Sequence, residues 1–308
     1  MKKNSAIVFK ILVSSGLIVF LFYKIGISKV ISTLSQIQFI YLFPCFIFMV
    51  LTFILPTYSM FLLIRNISRK VRFRSLFSDM MKTAVLTIVT PGRIGQFYII
   101  KLMGDYGITP GASVSIFFIN KILNYIIRIL IAMIAVFMLF FDMRFIIVLF
   151  AGLLVIFIGI FLLLSDFFRE WIKKIISNKI LKNLSGLSVT SKELLIKRKK
   201  NLLLVVSIKI VERVLIALFF YVIFYSYHES ISFTHVFLLS NLVSVVSSVP
   251  LTLDGIGVRE GAGVFLYSYF GVTESVILSA FLLFYIFRYV LSALLFGLFS
   301  VKKDRKIF

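Results

Sequence analysis

Nine cations fall within otherwise apolar stretches of this chain: Lys82, Arg93, Lys101, Lys121, Arg128, Lys209, Arg213, Arg259 and Arg288. The acids facing them are Glu212, Asp254 and Glu260. A charged side chain at the centre of a membrane span costs about 2.5–3.5 kcal/mol on insertion scales, so lipid exposure is untenable for most of this set and a polar interior is required. Lys121, Asn124 and Arg128 recur at i, i+3, i+7 and share one helix face, and Lys209, Glu212 and Arg213 form a second polar stripe. Internal ion pairs absorb three cations, and the surplus calls for an anion. Phosphate is the chemical match, because guanidinium and ammonium groups bind its oxygens through charge-assisted hydrogen bonds. Snorkelling of Lys82 and Lys101 to the cytoplasmic interface reduces the surplus without abolishing it.

Two interruptions in the apolar pattern accompany these charges. "TPGRIGQ" at 90–96 contains Pro91, Gly92 and Gly95, and "VPLTLDGIGVREG" at 249–261 contains Pro250, Gly255 and Gly257. Proline removes a backbone donor and glycine permits a tight reversal, so both breaks free backbone groups at membrane depth, which only protein or a water-filled cavity can satisfy. Each arm that restarts beyond the break turns its N-terminal N–H groups back toward the tip, a favourable place for an anion. Arg93 and Arg259 sit at the tips themselves. The candidate headgroup ligands are therefore Arg93, Gln96, Lys121, Arg128, Lys209, Glu212, Arg213, Asp254, Arg259, Glu260 and Arg288. The structural tip residues are Pro91, Gly92, Gly95, Pro250, Gly255 and Gly257.

The elements that must position these groups are helices in a membrane. Hydrophobic residues make up 61% of the 308 and charged residues only 15%, too few to clothe a soluble globule of this size. The apolar runs are continuous rather than alternating, which excludes a β-barrel. Full spans are expected at about 6–23, 39–64, 111–141, 145–165, 202–225 and 273–299, each long enough to cross about 30 Å of hydrocarbon. The broken elements, 75–103 and 233–270, read as re-entrant hairpins. The fold class is thus an all-α polytopic membrane protein of six crossings and two re-entrant hairpins in one domain.

The net charge of +22 is a topology signal in such a chain, not a nucleic-acid footprint. The N-terminus, 65–74, the basic linker 166–200 and the C-terminal tail hold 22 of the 34 Lys and Arg and all fall on one side if both hairpins return to the side they enter. Both termini are therefore expected in the cytoplasm, and the protein in the cytoplasmic membrane. Within the linker, Phe168, Trp171, Ile172, Ile175 and Ile176 recur at helical spacing, which suits a basic helix on an anionic leaflet or a solvated helix packed on its own domain. Repeat one (about 39–141) and repeat two (about 202–299) carry span, loop, broken hairpin and span in the same order with opposite orientation. Paired broken segments in inverted halves point to a transporter's central site. Cys45 is the single cysteine, His228 and His235 fit no metal spacing, and no nucleotide loop occurs, so no cofactor is expected.

"TPGRIGQFYIIKL" and, more specifically, "PLTLDGIGVREGAGVFLYSYFGV" resemble the two signature regions of the lysylphosphatidylglycerol synthase transmembrane-region family, the flippase-type membrane domain of the multiple peptide resistance factor. The resemblance covers essentially the whole chain and is strongest at Gly255, Gly257, Val258, Arg259, Glu260 and Gly261. It implies lipid translocation and paired re-entrant helices. Gln96 stands where relatives commonly carry Glu, and "NKILN" at 120–124 replaces a stretch containing Arg and acids, so carboxylate roles do not transfer to those positions. The chain ends at Phe308 without the soluble aminoacyl-transferase domain of the fused synthases, so the resemblance does not support a synthase; the buried cations and paired breaks lead to the expectation of a flippase-like transporter of an anionic phospholipid or a polyprenyl-phosphate intermediate, not an enzyme. The alternatives are a non-transporting membrane partner of a lipid or polysaccharide synthesis enzyme and, third, a membrane-embedded lipid transferase. The expected partners are the anionic headgroup, membrane lipids and such an enzyme.

Overall fold

A computed structural model describes residues 2–90, 95–140, 147, 150–154, 187–197, 199–248, 252 and 255–300. Among them every regular element is helical. In chain order these are α1 (Lys2–Ile25), α2 (Ile27–Ser35), α3 (Phe39–Arg65), α4 (Phe73–Val89), α5 (Tyr98–Met103), α6 (Pro110–Leu139), α7 (Leu187–Lys192), α8 (Lys199–Ser226), α9 (Phe233–Val246), α10 (Val258–Tyr269) and α11 (Glu274–Ser300).

Three helices, Phe39–Arg65, Pro110–Leu139 and Glu274–Phe299, are long and apolar enough to cross a membrane, and the pair Leu12–Ile25 plus Ile27–Ser35 makes a fourth candidate. The expected first span, 6–23, falls within α1, and α2 follows it as a separate helix. Gly26, at φ 92°, takes a backbone conformation that L side chains rarely adopt, and the axis bends by 78° there. Helix α8 runs for 28 residues with Lys209, Glu212 and Arg213 near its centre. Most of the expected span 145–165 and residues 166–186 of the basic linker lie outside the described residues.

Helices α3 and α8 form the broadest pair and run antiparallel. The Asn201 side-chain amide donates to Asn66 Oδ1 at 2.6 Å at one end, and the rings of Tyr41 and Tyr225 meet edge to face at 6.0 Å toward the other. Six further contacts come in three matched pairs. Helix α4 packs on α11 as α9 packs on α6; α3 touches α4 as α8 touches α9; α5 touches α6 as α10 touches α11. Exchanging α3 with α8, α4 with α9, α5 with α10 and α6 with α11 maps each of these contacts onto another.

Each broken element begins and ends in one place. Ser68, just before α4, donates to the Tyr106 carbonyl just after α5 at 2.9 Å. His235, at the start of α9, lies 4.9 Å from the Phe270 ring at the end of α10. The first site is at the Asn66–Asn201 end of the α3–α8 pair. The second adjoins Glu229, which accepts from Thr273 N–H at 3.1 Å at the opposite end.

Two apolar cores result. One gathers Met60, Leu63, Leu76, Ile99, Met103, Ile116 and Val205; the other gathers Cys45, Met49, Phe219, Phe224, Tyr267 and Phe281. Helices α3 and α8 feed both cores, so their middle stretches, near Thr52–Thr57 and Lys209–Ile216, pass between them. Polar and charged side chains are concentrated at that level.

Candidate functional site

A cavity of about 300 Å³ opens between the two cores. Its wall is built from the middle of α3 (Thr52, Pro56, Thr57), α4 (Thr83, Thr87), Gln96, α6 (Lys121, Asn124, Arg128), α8 (Glu212, Arg213) and α11 (Arg288, Ser292). Pro56 has no N–H to give the Thr52 carbonyl, so this stretch of α3 presents a helix oxygen without its usual donor beside the cavity. A second cavity of about 100 Å³ adjoins the first, shares Arg128, Arg213 and Arg288 with it, and adds Ser240, Asn241, Ser244 and Arg259. Together the described walls carry five cations, Lys121, Arg128, Arg213, Arg259 and Arg288, against one carboxylate, Glu212.

The local sequence explains how the long cations are held. Lys121 Nζ lies 5.6 Å from the Phe117 ring centre, Arg128 Cζ 5.9 Å from Tyr125, and Arg288 Cζ 6.0 Å from Phe284. The aromatic partner is three or four residues earlier on the same helix in each case. Long helical side chains lean back over the preceding turn, so this spacing sets a ring face beneath each cation. Arg259 differs: its guanidinium reaches from α10 to α11, donates from Nη1 to the Tyr285 hydroxyl at 3.0 Å, and lies 5.6 Å from that ring's centre.

Glu212 is 8% exposed and Arg213 3% exposed, and Arg213 Nη2 donates to Glu212 Oε1. Lys209, 2% exposed, sits within electrostatic range of Glu212, Arg213 and Arg128 and lines neither cavity. Glu212 is thus answered from two sides. The other Glu212 oxygen and Arg213 Nε are buried without a hydrogen-bond partner among the described residues. Buried polar atoms left in that state cost about 1–3 kcal/mol each; of the two, Arg213 Nε is a donor that suits an anionic oxygen, whereas the Glu212 oxygen is an acceptor that opposes one.

The two breaks are held by their glycines and by local carboxyl or hydroxyl groups. Gly95 N–H donates to Thr90 Oγ1 at 2.7 Å, and a Cβ on Gly95 would stand 2.4 Å from the Leu86 carbonyl. Gly255 and Gly257 have φ of 79° and 85°. Glu260, 1% exposed, reaches back one turn, and its Oε2 accepts from Gly257 N–H at 2.6 Å. That is the carboxylate half of a capping box. The first donor of α10, expected from the sequence to face a bound anion, is therefore taken by the chain's own acid.

The structure brings Gln96, Lys121, Arg128, Glu212, Arg213 and Arg288 into one cavity and Arg259 into its neighbour. Lys209 is buried behind the wall, Glu260 caps α10, and Gly95, Gly255 and Gly257 form the turns. Pro91, Gly92, Arg93, Pro250 and Asp254 lie outside the described residues. Lys82 and Lys101 flank the Tyr98 ring at 5.3 and 6.0 Å and line neither cavity. The sequence-based list of acids omits Asp79, which is 1% exposed and accepts from the Tyr106 hydroxyl at 2.5 Å. It also omits the neutral lining of Thr83 and Thr87, and of Ser240 and Ser244, each at i, i+4. That spacing marks a polar stripe on a helix and could have identified them. Among the described residues no three His, Cys, Asp or Glu side chains gather as a metal site.

Apolar spanning helices around a buried, arginine-rich cavity define a multi-pass membrane protein with an interior polar site. The chain belongs to the lysylphosphatidylglycerol synthase transmembrane-region family, whose model matches residues 7–295. A search of curated proteins gives no match.

Proposed function

We propose that this protein is a flippase-like transporter, not an enzyme, which moves an anionic phospholipid or a polyprenyl-phosphate-linked intermediate across the cytoplasmic membrane. One observation carries the reading: Lys121, Arg128, Arg213 and Arg288 converge on a single cavity between two apolar cores, where Glu212 is the one carboxylate among the described lining residues. A volume of about 300 Å³ is at the lower edge of small-molecule pockets, so it suits a headgroup whose hydrocarbon chains stay in the lipid.

In this reading six crossings surround two re-entrant hairpins, α4–α5 and α9–α10, in an inverted repeat. Supporting it are the antiparallel α3–α8 pair, the matched exchange of helix contacts, and the meeting of each hairpin's outer ends at opposite ends of that pair. The cytoplasmic side is the one with Arg65, Arg69, Lys70, Arg72 and Arg74, beside Asn201; Lys24 and Lys29 lie at the other end with Glu274 and Glu229.

The test is translocation of headgroup-labelled phosphatidylglycerol in vesicles containing the purified chain. Arg288→Ala and Arg259→Ala are each expected to abolish movement while the protein stays folded. Unchanged movement in both variants removes the proposed site.

A further inference from the structure

Lys82 and Lys101 line neither cavity, and both meet one ring. Lys82 Nζ lies 5.3 Å and Lys101 Nζ 6.0 Å from the centre of Tyr98. Neither amine has an ion pair or a hydrogen bond among the described residues, although Asp79 and Asp105 stand three and four positions from them in the sequence. Helix direction explains the arrangement, because long helical side chains lean toward the N-terminus of their own helix. Helix α4 runs away from the Ser68–Tyr106 junction, so Lys82, about 14 Å along it, leans back toward that junction. Helix α5 runs toward the junction, so Lys101 leans away from it and over Tyr98. Snorkelling therefore accounts for Lys82 and not for Lys101, an exposed residue whose ammonium turns inward to a ring that already carries a cation. Two like charges held about one ring repel, and an anion between them replaces that repulsion with attraction.

The surface beside the pair is apolar. Phe97, next to Tyr98, is 42% exposed; its ring lies 5.1 Å from Phe117, and Phe117 lies 5.6 Å from Phe118, which is 40% exposed. The same Phe117 ring carries the Lys121 ammonium at 5.6 Å, and Lys121 lines the larger cavity, as does Gln96 beside Phe97. A row of contacts thus runs from the two lysines along α5 and α6 to the cavity wall. Ammonium groups take phosphate oxygens and exposed rings take hydrocarbon. A phospholipid offers both in one molecule, whereas free phosphate offers one. We infer that Lys82, Tyr98 and Lys101 form an outer docking site for the phosphodiester headgroup of an anionic phospholipid in the cytoplasmic leaflet, between which and the cavity the headgroup moves along α5 and α6. The inference rests on the lipid-transport reading and adds the place where the lipid meets the protein.

The experiment reads lipid contact at the site without requiring transport. Trp171 is the single tryptophan, so Trp171→Phe combined with Tyr98→Trp sets one fluorophore at the site and keeps an aromatic face for both amines. The full chain with both changes is reconstituted in vesicles of phosphatidylcholine and phosphatidylglycerol in which one or the other lipid bears brominated acyl chains, and quenching gives their relative association. A lysine at an anionic surface contributes about fivefold in association, so phosphatidylglycerol is expected to exceed phosphatidylcholine by at least about fivefold. Adding Lys82→Gln and Lys101→Gln together is expected to bring that ratio toward one. Lys101→Gln alone, at an exposed position, is expected to give an intermediate ratio and guards against a double variant that fails to fold. Equal quenching by the two lipids, or a preference that survives the double change, overturns the inference. Inorganic phosphate, compared with chloride at equal ionic strength, is expected to leave quenching unchanged; displacement of the lipid overturns the inference by making the site one for soluble phosphate. Phosphatidylglycerol movement is scored separately, so movement without preference sinks docking alone, and a lysine-dependent preference without movement sinks transport alone.

Discussion

Arg259 and Tyr285 are joined twice across α10 and α11: the guanidinium donates to the phenol oxygen at 3.0 Å and also lies over the ring at 5.6 Å. The pair ties the helix that begins at the second break to the helix that carries Arg288. Tyr285→Phe removes the hydroxyl and keeps the ring, so the cation–π contact survives. A hydrogen bond to a charged group contributes about 1.5–3 kcal/mol, and the remaining contact about 0.5–2. Lipid movement in Tyr285→Phe vesicles is expected to fall a few-fold, and in Arg259→Gln to vanish. Equal loss in both would mean that Arg259 serves only to hold Tyr285.

Glu260 offers a choice between capping and proton exchange, which substitution separates. Its Oε2 accepts the Gly257 N–H at 2.6 Å, and an amide oxygen can do the same. Glu260→Gln is expected to keep both melting temperature and transport, whereas Glu260→Ala is expected to lose about 0.5–2 kcal/mol of stability, as other lost N-terminal caps do. Thermal unfolding in detergent, read beside vesicle transport, decides it. A stable but transport-dead Glu260→Gln would make the carboxylate a working acid.

At the first break the constraint is space. A methyl group on Gly95 meets the Leu86 carbonyl carbon and oxygen at 2.4 Å, and these are backbone atoms that cannot swing aside. Around Gly104, a few residues later, nothing lies within 4 Å. Gly95→Ala is expected to lose at least the 1–3 kcal/mol typical of overpacking, or to fail to fold, while Gly104→Ala is expected to unfold at the parent temperature. Matching melting curves for the two variants would show that α4 and the chain after the break are not in contact.

Much of the cavity's charged lining is legible in the sequence because charge in an apolar run is expensive wherever it stands. Lys121, Asn124 and Arg128 line one wall, as their i, i+3, i+7 spacing requires, and Arg213 and Arg288 join them from other helices. What spacing does not carry is the distance between helices. It leaves Lys209 and Arg213 in one stripe, although the two are equally buried and Arg213 alone lines the cavities. Nor does it reveal that α10's first donor already has a partner in Glu260 three residues on. The bend after Ile25 lies just beyond the expected span 6–23, where Gly26, at φ 92°, turns the axis by 78° into Ile27–Ser35. Helix termini are set by backbone satisfaction, and hydropathy averages over it.

Asp79 shows the same limit from the acid side. It sits within the apolar run of α4, 1% exposed, and accepts from the Tyr106 hydroxyl beyond α5 at 2.5 Å, so one buried bond closes the α4–α5 element on itself. A carboxylate stranded in such a place costs far more than the same group paired, and its removal should show up as coupling with its partner. In a cycle of Asp79→Asn, Tyr106→Phe and the double variant, the single changes are each expected to destabilise. The double variant should lose about 1.5–3 kcal/mol less than their sum, the range for hydrogen bonds to charged groups. Denaturation in mild detergent gives the four stabilities. Strict additivity would detach Tyr106 from Asp79 and leave the return of the chain after α5 to the Ser68 contact and to apolar packing by Ile99 and Met103.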